Sequence, residues 1–238
     1  PDTTPTAIAL LMLSGAIGIG LGDTAYFESL NCLGARRGLL LESLAPPIAA
    51  LIAWMFLDES LSLDAWLGIG LTVLGVAWVV FERTPDTPDF QTRPRPGIIF
   101  GLIAAFAQAS GAVLSRSALV GSNISPLWSM LIRIIAGVLV LLVLVTVRNQ
   151  SAAFWTIRRS HRLIGIIALT AFFSTYLAIW LQQTALKFTA AGIAQALGAT
   201  SPLFVIPIAM AMGDRVSPRA VLGVLVAIAG VWLLFAQG

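Results

Sequence analysis

The sequence predicts an all-α polytopic membrane protein built as an inverted-repeat helical bundle, and three observations carry that prediction. Of its 238 residues, 58% are hydrophobic and only 11% charged, with a mean hydropathy of +0.93, whereas soluble domains carry about 25% charged residues. The charges gather in short patches between apolar runs of about the 20 residues that span a bilayer. Finally, the stretch from Leu44 to Phe81 recurs from Ala199 to Ala236 at a gapless offset of 155 positions. Pro47 meets Pro202, Met55 meets Met210, Ser62 meets Ser217, Gly68 meets Gly223, Gly75 meets Gly230, and the acid Glu59 meets the acid Asp214. Such self-similarity marks duplication of a structural unit.

Hydropathy predicts eight spanning helices, at 6 to 30, 37 to 57, 64 to 82, 97 to 120, 125 to 147, 161 to 184, 189 to 212 and 217 to 236. Gly34 to Gly38, Asp58 to Asp64, Gly121 to Ser125 and Gly213 to Pro218 supply turn signals between them. The segment from Thr84 to Pro96, with four prolines and mixed charges, reads as a linker. The expected organisation is therefore a first repeat over 1–84, a linker over 85–96 and a second repeat over 97–238. The offset pairs the helix at 161 to 184 with that at 6 to 30, which leaves two helices of the second half unmatched. A five-helix unit follows, with ten helices expected in the full-length protein and two of them upstream of Pro1. An odd number of helices per unit makes the two copies face opposite ways, a recurrent plan of secondary transporters.

The net charge of +3 does not point to nucleic acid, because the basic residues lie mostly in inter-helix loops. Eleven of them, Arg36, Arg37, Arg83, Arg93, Arg95, Arg148, Arg158, Arg159, Arg162, Arg215 and Arg219, share one side of the membrane, against Arg116 and Lys187 on the other. The positive-inside rule puts the arginine side in the cytoplasm and both ends of the chain outside. Cys32 is the single cysteine, so no internal disulfide can form. There is no P-loop, and His161 sits among loop arginines without metal-site spacing, so no cofactor or metal is expected.

Ionisable groups inside a membrane are costly and usually face a cavity or a partner. Asp23, Glu42 and Arg133 are the three at helix depth. Glu42 precedes Pro46 and Pro47, whose missing N–H groups cannot reach back to the carbonyls of Glu42 and Ser43. In the second half Pro202 and Pro207 do the same to Gly198 and Leu203. Broken backbone at membrane depth is tolerated where it lines a cavity or is buried in protein. Gln195 lies two helical turns before Pro202 and shares its face. Gln108, Trp128, Tyr176, Gln182 and Gln183 complete the candidates, each weighed against an ordinary interhelical contact. Arg133 has two readings, neutralising Glu42 in an ion pair or gripping a substrate carboxylate. Glu59 and Asp214 read as start signals for the helices that follow them.

An enzymatic alternative rests on Gly20-Leu21-Gly22-Asp23, which resembles the GxGD motif of intramembrane aspartyl proteases. That chemistry needs two carboxylates sharing a proton, and no second aspartate lies in the interior of a predicted helix, Asp64 standing at the first position of its own. A non-transporting membrane scaffold is the remaining class, without positive support in the sequence.

The chain as a whole resembles the EamA-type branch of the drug/metabolite transporter superfamily. The likeness is carried by Gly22 to Phe27, Gly34-Ala35, Leu44 to Pro47, Leu57 to Ser62, Leu67-Gly68 and Gly75-Val76. In the second copy it is carried by Ala185-Leu186, Pro202, Gly213-Asp214, Leu222-Gly223 and Gly230-Val231. The resemblance implies ten helices in two inverted five-helix repeats around a substrate cavity, and secondary transport, often export, of amino acids and other small metabolites. It also implies cytoplasmic termini, which the arginine count opposes. A family Gly-Glu turn appears here as Asp58-Glu59 and Gly213-Asp214. The expected protein is a multi-pass carrier of a bacterial inner membrane that alternates access around a midplane cavity. Its partners are lipid, a small organic solute and protons exchanged at Glu42 or Asp23, with Gln195, Tyr176 and Arg133 among the solute contacts.

Overall fold

The computed structural model describes residues 4–83, 93–147, 161–204 and 217–235, and all the regular structure among them is helical. Among the described residues eight helices follow one another, in the order the hydropathy predicts. The first, α1, runs Pro5–Leu33. It opens where Thr4 accepts a hydrogen bond from the Ala7 N–H at 3.4 Å, and Pro5 sits where no N–H is needed. It continues three residues beyond the expected end, until Gly34 at φ 81° stops it.

α2 is a broken helix, Ala35–Glu42 followed by Ala45–Leu57. The sequence predicts a single helix here with a proline disturbance, and the prolines go further. Pro46 and Pro47 occupy the first turn of the second half, so the chain restarts at Ala45, and the Ser43 hydroxyl donates to the Leu40 carbonyl at 2.7 Å. Asp58 in the left-handed region (φ 52°) ends α2. The remaining helices are α3, Leu63–Arg83; α4, Pro94–Leu119; and α5, Pro126–Val147. α6 comprises His161–Ala171, a π-helical turn Phe172–Leu177, and Ala178–Phe188. α7 is Ala191–Gly198 followed by a 3-10 turn, Ser201–Phe204, and α8 is Pro218–Phe235. α4 starts at Pro94 rather than at 97 because prolines in a first helical turn remove no bond. Among the described residues six segments are long and apolar enough to cross a membrane: Pro5–Leu33, Arg37–Leu57, Leu63–Phe81, Pro94–Leu119, Pro126–Val147 and Ile164–Phe188. Their outer faces carry exposed large apolar side chains such as Phe56, Leu74, Phe106, Val143 and Phe173, as lipid contact requires.

The 155-residue offset is visible in the backbone. A π-helical turn interrupts α1 at Ala16–Gly22, and α6 carries its counterpart at Phe172–Leu177. The break of α2 at Ser43 and Leu44 corresponds to the end of α7 at Gly198 and Ala199. α3 and α8 are themselves counterparts, and they pack antiparallel on one another. Gly68 faces the carbonyl of Gly230 while Gly75 faces that of Gly223; Thr72 meets Gly230 as its counterpart Ala227 meets Gly75. Each contact maps onto another when the copies are exchanged, so a local two-fold relation passes through this crossing. Small residues at these sites let the two backbones approach closely.

α1 packs across α4 and α5. Gly18 and Gly22 face Gly111 and Ala107 of α4, and Gly15 lies against the Arg133 backbone of α5. Gly18 and Gly22, four residues apart on one helix face, thus form a helix-packing surface. The second half of α2 lies between α4 and α7, where Ala50 meets Gly192.

Candidate functional site

A cavity of about 520 Å³ opens where the two broken helices meet. Glu42, Ala45 and Pro46 of α2 face Leu197, Gly198 and Ala199 of α7, and Glu42 and Leu197 are themselves 155 positions apart. Gln108 of α4, Ala178, Leu181, Gln182 and Ala185 of α6, and Gln195 of α7 lie in the rest of the wall. Its polar lining is one carboxylate and three side-chain amides, Gln108, Gln182 and Gln195, with no basic side chain. The volume falls in the range of small-molecule sites, about 300–1,000 Å³.

Glu42 is positioned by the helix break. It is the last residue of its half-helix, and its Oε2 is buried with no hydrogen-bond partner among the described residues. The C-terminal ends of two half-helices, Ala35–Glu42 and Ala191–Gly198, converge here. Both carry the negative end of a helix dipole. Pro46 and Pro47 remove two N–H groups from the facing helix start, which weakens that end as an anion site. The local electrostatics therefore favour a positively charged group. The amide of Gln195 points across to the backbone carbonyl of Gln108 at 3.5 Å.

Arg133 is beside the cavity and not in its wall. It is 2% exposed, and its guanidinium donates to Oε1 of Gln183. The Gln183 amide donates in turn to Ser129 and, at 3.2 Å, to Ser115; Ser115 and Ser14 share a hydrogen bond of 2.9 Å, and the Ser14 hydroxyl donates to the Gly111 carbonyl at 2.6 Å. This buried polar chain ties α1, α4, α5 and α6 together. Ser129 and Arg133 reach it from one face of α5 because they are four residues apart. The ion pair between Arg133 and Glu42 that the sequence allowed is absent among the described salt bridges. The arginine is held against α6 by Gln183, while Glu42 sits at the α2 break. Arg133 does share an electrostatic neighbourhood with Asp23, and Asp23 with Glu42 and Tyr26. Its NH2 lies beside Gly18, and Nε is unpartnered among the described residues.

The residues singled out in the sequence thus divide. Glu42, Gln108, Gln182, Gln195 and Pro46 line one cavity; Asp23 and Arg133 stand behind it. Trp128 and Tyr176 lie at 49% and 37% exposure outside its wall, Tyr176 stacked on Phe172 at 5.4 Å between ring centroids. Pro47 follows Pro46 in the helix start, Pro202 lies in the turn after α7, and Pro207 is outside the described residues. Ser14, Ser115 and Ser129 escaped notice, because a serine in an apolar run carries no mark of which helix it faces. Replacing Ser14 by alanine removes two interhelical hydrogen bonds, each worth about 0.6 kcal/mol on average in membranes, and is expected to cost about 1 kcal/mol, which thermal unfolding in detergent would measure.

The pattern of the EamA-like transporter family matches residues 1–81 and 95–236, nearly the whole chain and both copies. The chain belongs to the EamA-like transporter family. No curated protein sequence matches it. A solved crystal structure of a protein shares the fold of this EamA-like chain with a TM-score of 0.67 at 14% identity, over 99% of this chain and 89% of that one. The EamA-like chain is thus a multi-pass membrane protein of a family that transports small solutes, and the resemblance read in its motifs is borne out.

Proposed function

We propose that this chain is a secondary transporter that exports amino acids or related amine-bearing solutes across a bacterial inner membrane. Access to the cavity alternates between two inverted repeats, 1–84 and 97–238, joined by the linker at 85–96. The observation that carries this reading is the meeting of two offset-related helix breaks at one cavity, with Glu42 between them. Discontinuous helices at a repeat interface are a recurring way to build a solute site in transporters. The ammonium of the solute sits at Glu42 and the helix C-terminal ends, and the amides of Gln182 and Gln195 take its carboxylate or other polar groups. Glu42 or Asp23 exchanges the proton that drives the cycle.

The test is an untargeted comparison of solutes released by cells overproducing the wild type, the Glu42→Gln variant or neither. An amine-bearing solute enriched by the wild type is the expected result. Glu42→Gln should lower that release roughly ten-fold or more, the equivalent of one hydrogen bond to a charged group. Equal release by both proteins would remove Glu42 from the site, and no release by a folded protein would remove export. For the coupling step, a pH gradient across proteoliposomes should drive wild-type transport and lose its effect in Glu42→Gln or Asp23→Asn. If neither variant changes the response, protons do not pass through these acids.

A further inference from the structure

At one end of the cavity the structure holds a polar cluster that neither the solute site nor the duplication requires. Arg116, in the last turn of α4, places Nε 2.6 Å from Oε1 of Glu59 in the loop between α2 and α3. Its NH1 donates to the carbonyls of Leu186 and Lys187, both at 2.9 Å, and so caps the C-terminus of α6. The second oxygen of Glu59 accepts from the Ala191 N–H at 3.1 Å, at the N-terminus of α7. Lys187 donates to the Ile124 carbonyl at 2.7 Å. The cavity reaches to within a turn of this cluster, at Ala185 of α6 and Ala194 of α7.

We infer that the Glu59–Arg116 pair is the gate that seals the cavity on the side of the membrane bearing Lys187, and that breaking it opens that side. The inference rests on the alternating-access reading above. Glu59 is the one member of the cluster that belongs to the first copy; Arg116, Leu186, Lys187 and Ala191 all belong to the second. One carboxylate therefore fastens the two moving bodies together, satisfying a helix C-terminus through Arg116 and a helix N-terminus directly. Both partners are 16% exposed, close enough to water for the pair to separate and be resolvated, yet dry enough for its charge-assisted bonds to hold. The two main-chain caps give the closed state a defined geometry, as a two-state element needs.

The test needs no knowledge of the solute. With Cys32→Ala removing the native thiol, Ala185→Cys places a reporter in the cavity wall next to the gate. A membrane-impermeant maleimide is applied to intact cells and to inverted vesicles, which present opposite sides. The reporter should react from the side opposite Lys187 and stay protected from the Lys187 side. Adding Glu59→Gln or Arg116→Gln should accelerate labelling from the Lys187 side roughly ten-fold, the shift produced by losing one charged hydrogen bond. Unchanged labelling in both folded variants would overturn the gate, as would a native reporter that reacts from the Lys187 side. A reversible lock covers the case in which those variants do not fold. In a Glu59→Cys, Arg116→Cys protein, a short bifunctional thiol reagent should shut the Lys187 side and thiol reduction should reopen it; equal labelling before and after reduction would also overturn the gate. If the gate behaves as stated while no solute is released in the comparison above, the cargo assignment fails and the gate stands.

Discussion

Gly75→Leu is expected to destabilise the protein by about 3 kcal/mol or more, at the upper end of what overpacking costs. A Cβ at Gly75 would lie 2.6 Å from the Gly223 carbonyl oxygen and 2.8 Å from the Ala227 Cα. These are backbone atoms of α8, which cannot rotate away as a side-chain end can. The two helices would have to separate along the whole crossing, losing the van der Waals contact that holds helices together where lipid replaces water. The local two-fold relation sharpens the expectation, because a Cβ at Gly230 would lie 2.7 Å from the Gly68 carbonyl oxygen in the same manner. Gly230→Leu should therefore cost about as much. Gly70, on the same helix, has nothing within 4 Å of an added Cβ, so Gly70→Ala should be neutral or gain up to about 1 kcal/mol of helix propensity. Thermal unfolding of the three variants in one detergent decides the matter. Equal midpoints for Gly75→Leu and Gly70→Ala would mean that the crossing is not tight.

Gln183→Leu is the second large effect expected, about 3–5 kcal/mol, the usual cost of stranding a buried charge by removing its partner. Gln183 is fully buried and holds the Arg133 guanidinium through Oε1 while its amide serves Ser115 and Ser129. A leucine of similar volume fills the space but leaves the arginine without that acceptor, in addition to its Nε, which has no partner among the described residues. Gln183→Glu separates charge from packing. Its carboxylate still accepts from Arg133, and the Ser129 hydroxyl can turn to donate to it, so this variant should unfold close to the wild type. Loss of stability in both variants alike would show that shape, and not the acceptor, is what matters at 183.

Much of the fold was legible because a bilayer imposes simple rules. Helix number and order followed from apolar runs, and the duplication was readable from Pro47 with Pro202 and from the glycine pairs, since lipid leaves helices only small residues with which to approach one another. The prolines at 46 and 47 marked a helix break, and Glu42 beside them marked the cavity. The sequence did not show that both helix breaks line one cavity, nor that Arg133 stands outside it. Helical spacing reports which face a residue occupies, and says nothing of which neighbour that face meets.

Glu59 shows the same limit. Its position after an apolar run reads as a start signal for α3, yet its two oxygens go to Arg116 and to Ala191, residues 57 and 132 positions away. Membrane class, helix count, duplication and the acid at the break are determined by the sequence alone, because they depend on solvent preference and on backbone chemistry local to each residue. The pairing of Arg133 with Gln183, the shared cavity and the Glu59–Arg116 bridge were decided by tertiary structure. Each of these depends on distance between chain segments that only the packing of helices brings together.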